Sequence, residues 1–530
     1  MDGRIHQWNA TAMGVFELCW EKLKNPSNLM NTSWLKKYAN LLCEHDSSID
    51  VITPNKDWLA VCHILDRPYW QRVWTLQEMV LPENVFVSCG SAACHLNSIL
   101  ASAIWICNYP EDLCPSHMDI RLWQALRNSS KNHNGFHRLL RVDVLRHDRQ
   151  EASRRQKRAI IARPFDLLLK VHDLCATNPL DSIYGILNIV DLPIRPDYEK
   201  SVKYAFTEVA RIGVNGEHFE DVMCRSGMEE LGISQRNRSL LPSWVPEWNN
   251  LGDKHIIEGA NYNAGGLFSL DLSSMSPSIT NDFALEVSGV VSDQVAIVGP
   301  EIEEDKIFNS VCRFYKLLNP ENSQISYLIR IPNLQAILRT MVLDCDPFTN
   351  QRLKAGQRLK AGNGRLQTVF LEILRQLLWI SVKEAHPEKL TIEEIFSQLG
   401  MRTGEHFAAS FKEVVLGEID DGADKISGKT DMEVLSPTWR PRPGAFNPIA
   451  DNIHQKFFLT ENGFVGTGPS ATSPGNSICI LHSCRLPVLL RRNESHHLHV
   501  GTCFVLGLMD GEGMVDSRNQ PRPIEVFEIH

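Results

Sequence analysis

Several things are missing from this chain of 530 residues, and each absence removes a class of function. No uninterrupted apolar run approaches the roughly 20 residues that a membrane-spanning helix needs, so no membrane span is expected. The opening residues Met1 to Gln7 lead into no long apolar core, which argues against a signal peptide. The 14 cysteines include no C-x-x-C pair. That spacing excludes zinc ribbons and dithiol redox sites, and nothing marks a secreted disulfide framework. No Walker loop, no G-x-S-x-G elbow and no H-E-x-x-H helix occurs. A net charge of −9 gives no general affinity for nucleic acid. With 43% hydrophobic and 22% charged residues, the composition is that of a globular, cytoplasmic protein of two to four domains.

The most informative stretch is Arg67-Pro68-Tyr69-Trp70-Gln71-Arg72-Val73-Trp74-Thr75-Leu76-Gln77-Glu78. Pro68 fits the first turn of a helix, where its missing N–H costs nothing. Trp70, Val73, Trp74 and Gln77 then fall at helical offsets, predicting one shared face. Leu81-Pro82-Glu83-Asn84 stops the helix. A short strand, Val85 to Cys89, closed by Gly90, should follow. Upstream, apolar spacing predicts helices over residues 12 to 24 and 34 to 42, and a third from Trp58 to Asp66. Downstream, His95 to Cys107 reads as helical.

Residues 121 to 163 are basic, with Arg138, Arg141, Arg146, Arg149, Arg154, Arg155, Lys157, Arg158 and Arg163 facing few acids. Without interleaved aromatics this reads as a solvated helix surface and loop; a basic binding patch would show steeply salt-dependent binding instead. His133 and His137 have the i,i+4 spacing of metal pairs. Asn134 and Gly135 between them favour a loop, and no metal site is expected. A further block, Leu174 to Leu187, contains Cys175, Asn178-Pro179-Leu180-Asp181 and Tyr184. Locally it reads as a loop entering a helix, with Asp181 as its cap. Leu241-Pro242-Ser243-Trp244-Val245-Pro246-Glu247-Trp248 is extended, since two prolines exclude a helix interior.

From Ala284 the periodicity turns to strand, and helices return across 305 to 345 and 366 to 416. A doubled hexamer, Gln351 to Gly356 and Gln357 to Gly362, has the look of a local duplication. The tail from residue 456 has short glycine-separated strands, predicting a small barrel or sandwich. Gly466-x-Gly468 lacks the third glycine and the helix of a phosphate loop.

The string from Arg67 to Glu78 resembles the middle signature of the fungal heterokaryon incompatibility (HET) domain, "RPYWxRVWxxQE", followed by a strand ending Cys89-Gly90. The block from Cys175 resembles that family's "C-x-DPRDxxYALL" stretch, with Asn178 for its first Asp and Leu180 for its Arg; the loss of that Arg removes a fixed cation. Leu241 to Trp248 is similar to the "LPSWVPDW" strap that follows the domain, and the tail with Met509-Asp510-Gly511-Glu512 resembles the family's C-terminal part. The family's initial strand and its "WIDxxCINQ" block have no counterpart here, so the chain is read as the C-terminal portion of the domain.

The resemblance implies an α+β protein: a partial, TIR-like (Toll/interleukin-receptor) α/β HET region over 1–190, a helical and extended connector over 191–280, a mixed region over 281–450 and a β-rich C-terminal domain over 451–530. Its motif residues here are Arg67, Tyr69, Trp70, Arg72, Trp74, Gln77, Cys89, Gly90, Cys175, Asp181 and Tyr184. It implies nonself recognition and programmed cell death, acting through other incompatibility or death-pathway proteins and through self-assembly, with no cofactor, by a truncated or inactive copy. The alternative is a TIR-like hydrolase with NAD as substrate. Enzymatic TIR domains carry a catalytic Glu four residues after a Trp, the spacing of Trp74 and Glu78. A carboxylate there would stabilise the oxocarbenium-like state as the bond to nicotinamide breaks.

Overall fold

The computed structural model describes residues 2–24, 43–46, 51–54, 56–108, 134–154, 164–171, 174–228, 241–251, 262–265, 276–303, 307–318, 333–345, 352 and 452–530. The chain divides into two units. One comprises Met1–Val202 with Trp248–Asn250; the other comprises Lys203–Glu247 with Leu251–His530.

In the first unit, α1 (Asp2–Leu23) buries Ala12, Met13, Val15, Phe16, Cys19 and Leu23. These recur at offsets of three, four and seven, a single helical stripe. The stripe packs against α2 (Lys56–Leu65), α4 (Leu96–Asn108) and β4 (Ala92–His95). Between α2 and β4 come a short 3-10 turn (Pro68–Gln71), α3 (Val73–Val80) and β3 (Phe86–Cys89). β3 and β4 form an antiparallel hairpin in which Cys89 faces Ala92 across Gly90 and Ser91. Gly90 sits at φ 64°, the left-handed region that glycine enters without a Cβ penalty. β1 (Cys43–Asp46) and β2 (Val51–Pro54) make a second antiparallel pair. The further described helices of the unit are α5 (Asn134–Arg154), α6 (Pro164–Val171) and α7 (Asp181–Tyr184).

The mixed helix and strand content agrees with the α+β class. The parallel sheet that a TIR-like fold implies has no counterpart among the described residues of this unit, whose strands form two antiparallel hairpins. Residues 34 to 42, expected as a helix, lie outside the described residues, as do the doubled hexamer beyond Arg352 and the run 366 to 416.

The second unit is built on a closed barrel. β6 (Leu285–Glu301) is a 17-residue strand that serves two neighbours in succession. Its Gly289–Gln294 stretch pairs with β9 (Ser477–Leu481), and its Val295–Glu301 stretch pairs with β7 (Lys456–Thr460). The ring continues from β7 to β8 (Val465–Gly468) and from β8 to β12 (Phe504–Val505). Through Cys503 the chain joins β12 to β11 (His496–Thr502), which pairs with β10 (Val488–Asn493), and β10 returns to β9. Every one of these pairings is antiparallel. Closure leaves no open edge in the ring, the usual liability of a sheet this size. β13 (Glu525–Ile529) and β5 (Ser278–Ile279) add to the start of β6.

Side chains fill the barrel: Val295, Phe458, Ala471, Ile478, Leu489, Val500, Cys503, Val505 and Leu508 form one buried cluster. Gly466 and Gly468 both lie in β8, and a Cβ on Gly466 would come within 2.4 Å of the Phe458 ring. These glycines make room for a core aromatic and form no phosphate loop. Among the described residues this unit has the helices α8 (Val202–Asn215, entering from Val202), α9 (Phe219–Arg225), α10 (Ile307–Leu318) and α11 (Asn333–Met341). α10 lies on β6, and its Phe314 stacks on Phe457 of the neighbouring β7 at 4.8 Å. Among the described residues no helix is long and apolar enough to cross a membrane.

Candidate functional site

The stretch from Arg67 to Glu78 is two helical pieces with a break between them. Arg72 has φ −83° and ψ 133°, an extended conformation. It forms an isolated parallel bridge with Cys175. The Cys175 N–H donates to the Gln71 carbonyl at 2.5 Å, and the Val73 N–H donates to the Cys175 carbonyl at 3.2 Å. One of the orphan donors at the start of α3 is thus satisfied by the second signature block. Thr75 Oγ1 donates to the Arg72 carbonyl at 2.7 Å and tightens the same turn. The break corrects the expectation of one shared face. Trp70 and Val73 are buried, but Trp74 is 36% exposed and Gln77 half-buried. Three residues per turn before the break and 3.6 after it do not keep one stripe in register.

Gln77 reaches the same block from one turn further on. Its Nε2 donates to the Gly185 carbonyl at 2.6 Å, and its Oε1 accepts from Asn188 Nδ2 at 2.9 Å. Gly185 is what lets the elements approach: a Cβ there would lie 2.9 Å from Val73 Cγ2 and 2.7 Å from the Asp181 carbonyl. On the other side of the motif, Arg67 Nη1 donates to Cys89 Sγ at 2.6 Å and Nη2 to Asn9 Oδ1 at 2.9 Å. Trp70 Nε1 donates to the Ile64 carbonyl at 2.7 Å. Arg67, Trp70, Gln77 and Cys89 are therefore bound into the fold.

Asp181 is the first residue of α7, and the N-cap position, Leu180, makes no side-chain bond. Capping by Asp181 is thereby corrected; Asn178 Oδ1 instead accepts the Leu180 N–H at 3.0 Å. The Asp181 carboxylate accepts from Tyr198 Oη at 2.7 Å, and this bond holds the Tyr198 phenol up to about 12. Tyr184 is buried, donates to the Asp197 carbonyl at 3.0 Å, and meets the Tyr198 ring edge-on at 5.2 Å.

Glu78 is exposed and accepts from Tyr69 Oη at 2.9 Å. Burial, then the bond to Glu78, push the Tyr69 phenol to about 12. A carboxylate open to water lacks the excluded, low-dielectric setting in which electrostatic stabilisation of a cation is strongest. Of the motif residues, Tyr69, Arg72, Trp74, Gly90 and Cys175 are exposed, as is Glu78.

Two arginines of the basic run have a structural task. Arg146 is buried and donates to the carbonyls of Met79 (2.5 Å), Pro82 (3.0 Å) and Glu83 (2.8 Å); Arg149 donates to that of Val80 at 2.9 Å. Together they satisfy the carbonyl end of α3, where the helix carries partial negative charge. Residues 155 to 163 and His133 lie outside the described residues. Among the described residues no three His, Cys, Asp or Glu side chains are grouped to hold a metal.

Residues 427–521 match the Het-6 beta-barrel domain. Across 484 residues the chain is 22% identical to heterokaryon incompatibility protein 6, OR allele, of Neurospora crassa, an alignment covering 84% of this chain and 65% of that protein. These matches support a HET-domain-type incompatibility protein. The alignment spans just under two thirds of the Neurospora protein's length. No solved structure matches. The barrel match includes β7 to β12 and stops short of β13, while β6, which closes the ring, lies far upstream. Sequence patterns passed over Gly185, Asn188 and Tyr198 as site residues. Gly185 lies inside the Leu174 to Leu187 block, and its lack of a side chain is the available signal.

Proposed function

We propose that this HET-type chain acts in fungal nonself recognition and programmed cell death, in the cytoplasm, by contact with other incompatibility proteins and by self-assembly rather than by catalysis. The observation that carries the reading is the backbone joint at Arg72 and Cys175, with Gln77 reaching Gly185 beside it. Two separated motifs that meet in one backbone joint are used architecturally. The outward remainder, Tyr69, Arg72 and Trp74 with Glu78 beside them, exposes the aromatic and arginine side chains that contact sites favour.

The test is expression in fungal strains that are then fused, scoring death of the fusion cells. Glu78→Gln keeps shape and hydrogen-bonding capacity and should leave the death response intact. Trp74→Ala should weaken it at least tenfold without loss of folded protein. Should Glu78→Gln abolish both cell death and depletion of cellular NAD, the non-catalytic reading is wrong and the NAD-cleaving alternative takes its place.

A further inference from the structure

At the end of α11 the second unit holds a compact group of four charges. The chain leaves the helix through Leu343 and Asp344, at φ 52° and 54°. Two successive non-glycine residues in the left-handed region carry backbone strain. Asp344 is buried, and its Oδ1 accepts from Arg339 Nε at 2.6 Å. Its Oδ2 lies 3.9 Å from Arg352 Nη2. Arg352 bonds in turn to Asp510 and lies with its guanidinium 4.9 Å above the Tyr262 ring. Cys345 and Arg352 form an antiparallel bridge, and Tyr262 Oη sits 3.5 Å from Cys345 Sγ, a fully buried thiol. Asp510 ties the group to the barrel's last turn, where its own N–H donates to Glu512 Oε2 at 2.8 Å.

The two cations and two carboxylates balance, but the balance is delicate. Removing a pair of charges from water is costly, and their attraction offsets that cost only while every partner is present. The Arg352–Asp510 arm is the part that water can reach, since the Asp510 side chain is 40% exposed. Strain and a buried ion on one side of an exposed salt bridge make a segment that opens at lower free energy than the barrel does.

We propose that Arg352 is an ionic clasp between the strained turn after α11 and the Met509–Glu512 turn of the barrel, and that its release opens the turn locally while the barrel stays closed. Cys345 reports on the clasp from inside, and Cys479 and Cys503 report on the barrel core. The measurement is maleimide labelling of the full chain, quantified cysteine by cysteine by peptide mapping, in wild type, Arg352→Ala and Asp510→Asn. The clasp requires both variants to label Cys345 at least tenfold faster, with Cys479 and Cys503 still protected. If Arg352→Ala exposes all three thiols, it has unfolded the unit, and Asp510→Asn, which leaves both arginines facing Asp344, decides. Unchanged labelling of Cys345 in Asp510→Asn, or faster labelling of all three there, overturns the proposal.

Discussion

Gly185 and Val73 set how near the two signature blocks come. With a Cβ at 185 only 2.9 Å from Val73 Cγ2, either α3 or the α7 turn has to move. Gly185→Ala is therefore expected to destabilise the first unit by about 1–3 kcal/mol, the usual cost of overpacking. The loss appears as a lower midpoint in thermal unfolding, and Val73→Ala in the same chain should recover part of it because the sites touch. A second residue with a readable signature is Asp344. Burial raises its carboxyl from its ordinary value near 4 to about 6, against the opposing pull of Arg339 and Arg352. The unfolded chain therefore titrates lower than the folded one. This group's contribution is fully present below about pH 4 and is lost as pH rises through about 6. The stability of wild type relative to Asp344→Asn should fall by about 2 kcal/mol between pH 4 and 7. Urea unfolding of both proteins across that range measures it, and a flat difference would mean that the carboxyl is not held in its buried state.

Between elements, the arginines of α5 do what a capping motif does elsewhere. α3 ends with Leu81 in helical geometry and Pro82 beyond it, so its last carbonyls need donors from outside the helix. Arg146 and Arg149 supply them. Arg146→Met keeps the bulk and removes the donors, leaving three carbonyls without this partner. An expected loss of about 2–4 kcal/mol in chemical denaturation follows. Arg154, paired at the surface with Glu151, should cost under about 1 kcal/mol when changed to Ala. A run of basic residues has no periodic signal that separates such donors from solvated charge; what distinguishes Arg146 is its burial against a helix end contributed by residues 79 to 83. The same limit applies to the opening motif. α2 and α4 were legible from their apolar spacing, because each is one uninterrupted helix against the core. The break at Arg72 was not, because its cause is a backbone partner about a hundred residues away. Period and propensity are local quantities, whereas the Arg72–Cys175 bridge is set by tertiary contact.

At the scale of the molecule, strand character from Ala284 onward and in the tail could be read from alternation and glycine spacing. The pairing of the two could not, because β6 meets β7 and β9 across more than 150 residues of intervening chain. That pairing decides what can fold alone. Without β6, β7 and β9 each present an unpaired edge, and Val295 is missing from the core cluster. A fragment of residues 452–530, which holds all the described strands of the Het-6 barrel match, should therefore be aggregation-prone and lack a cooperative unfolding transition. Residues 276–303 supplied at its N-terminus through a flexible linker should restore both β6 interfaces and, with them, cooperative melting. Circular dichroism and calorimetry on the two fragments make the comparison. If 452–530 melts cooperatively by itself, closure through β6 is dispensable, and the barrel is stabilised by its other strands and its filled interior alone.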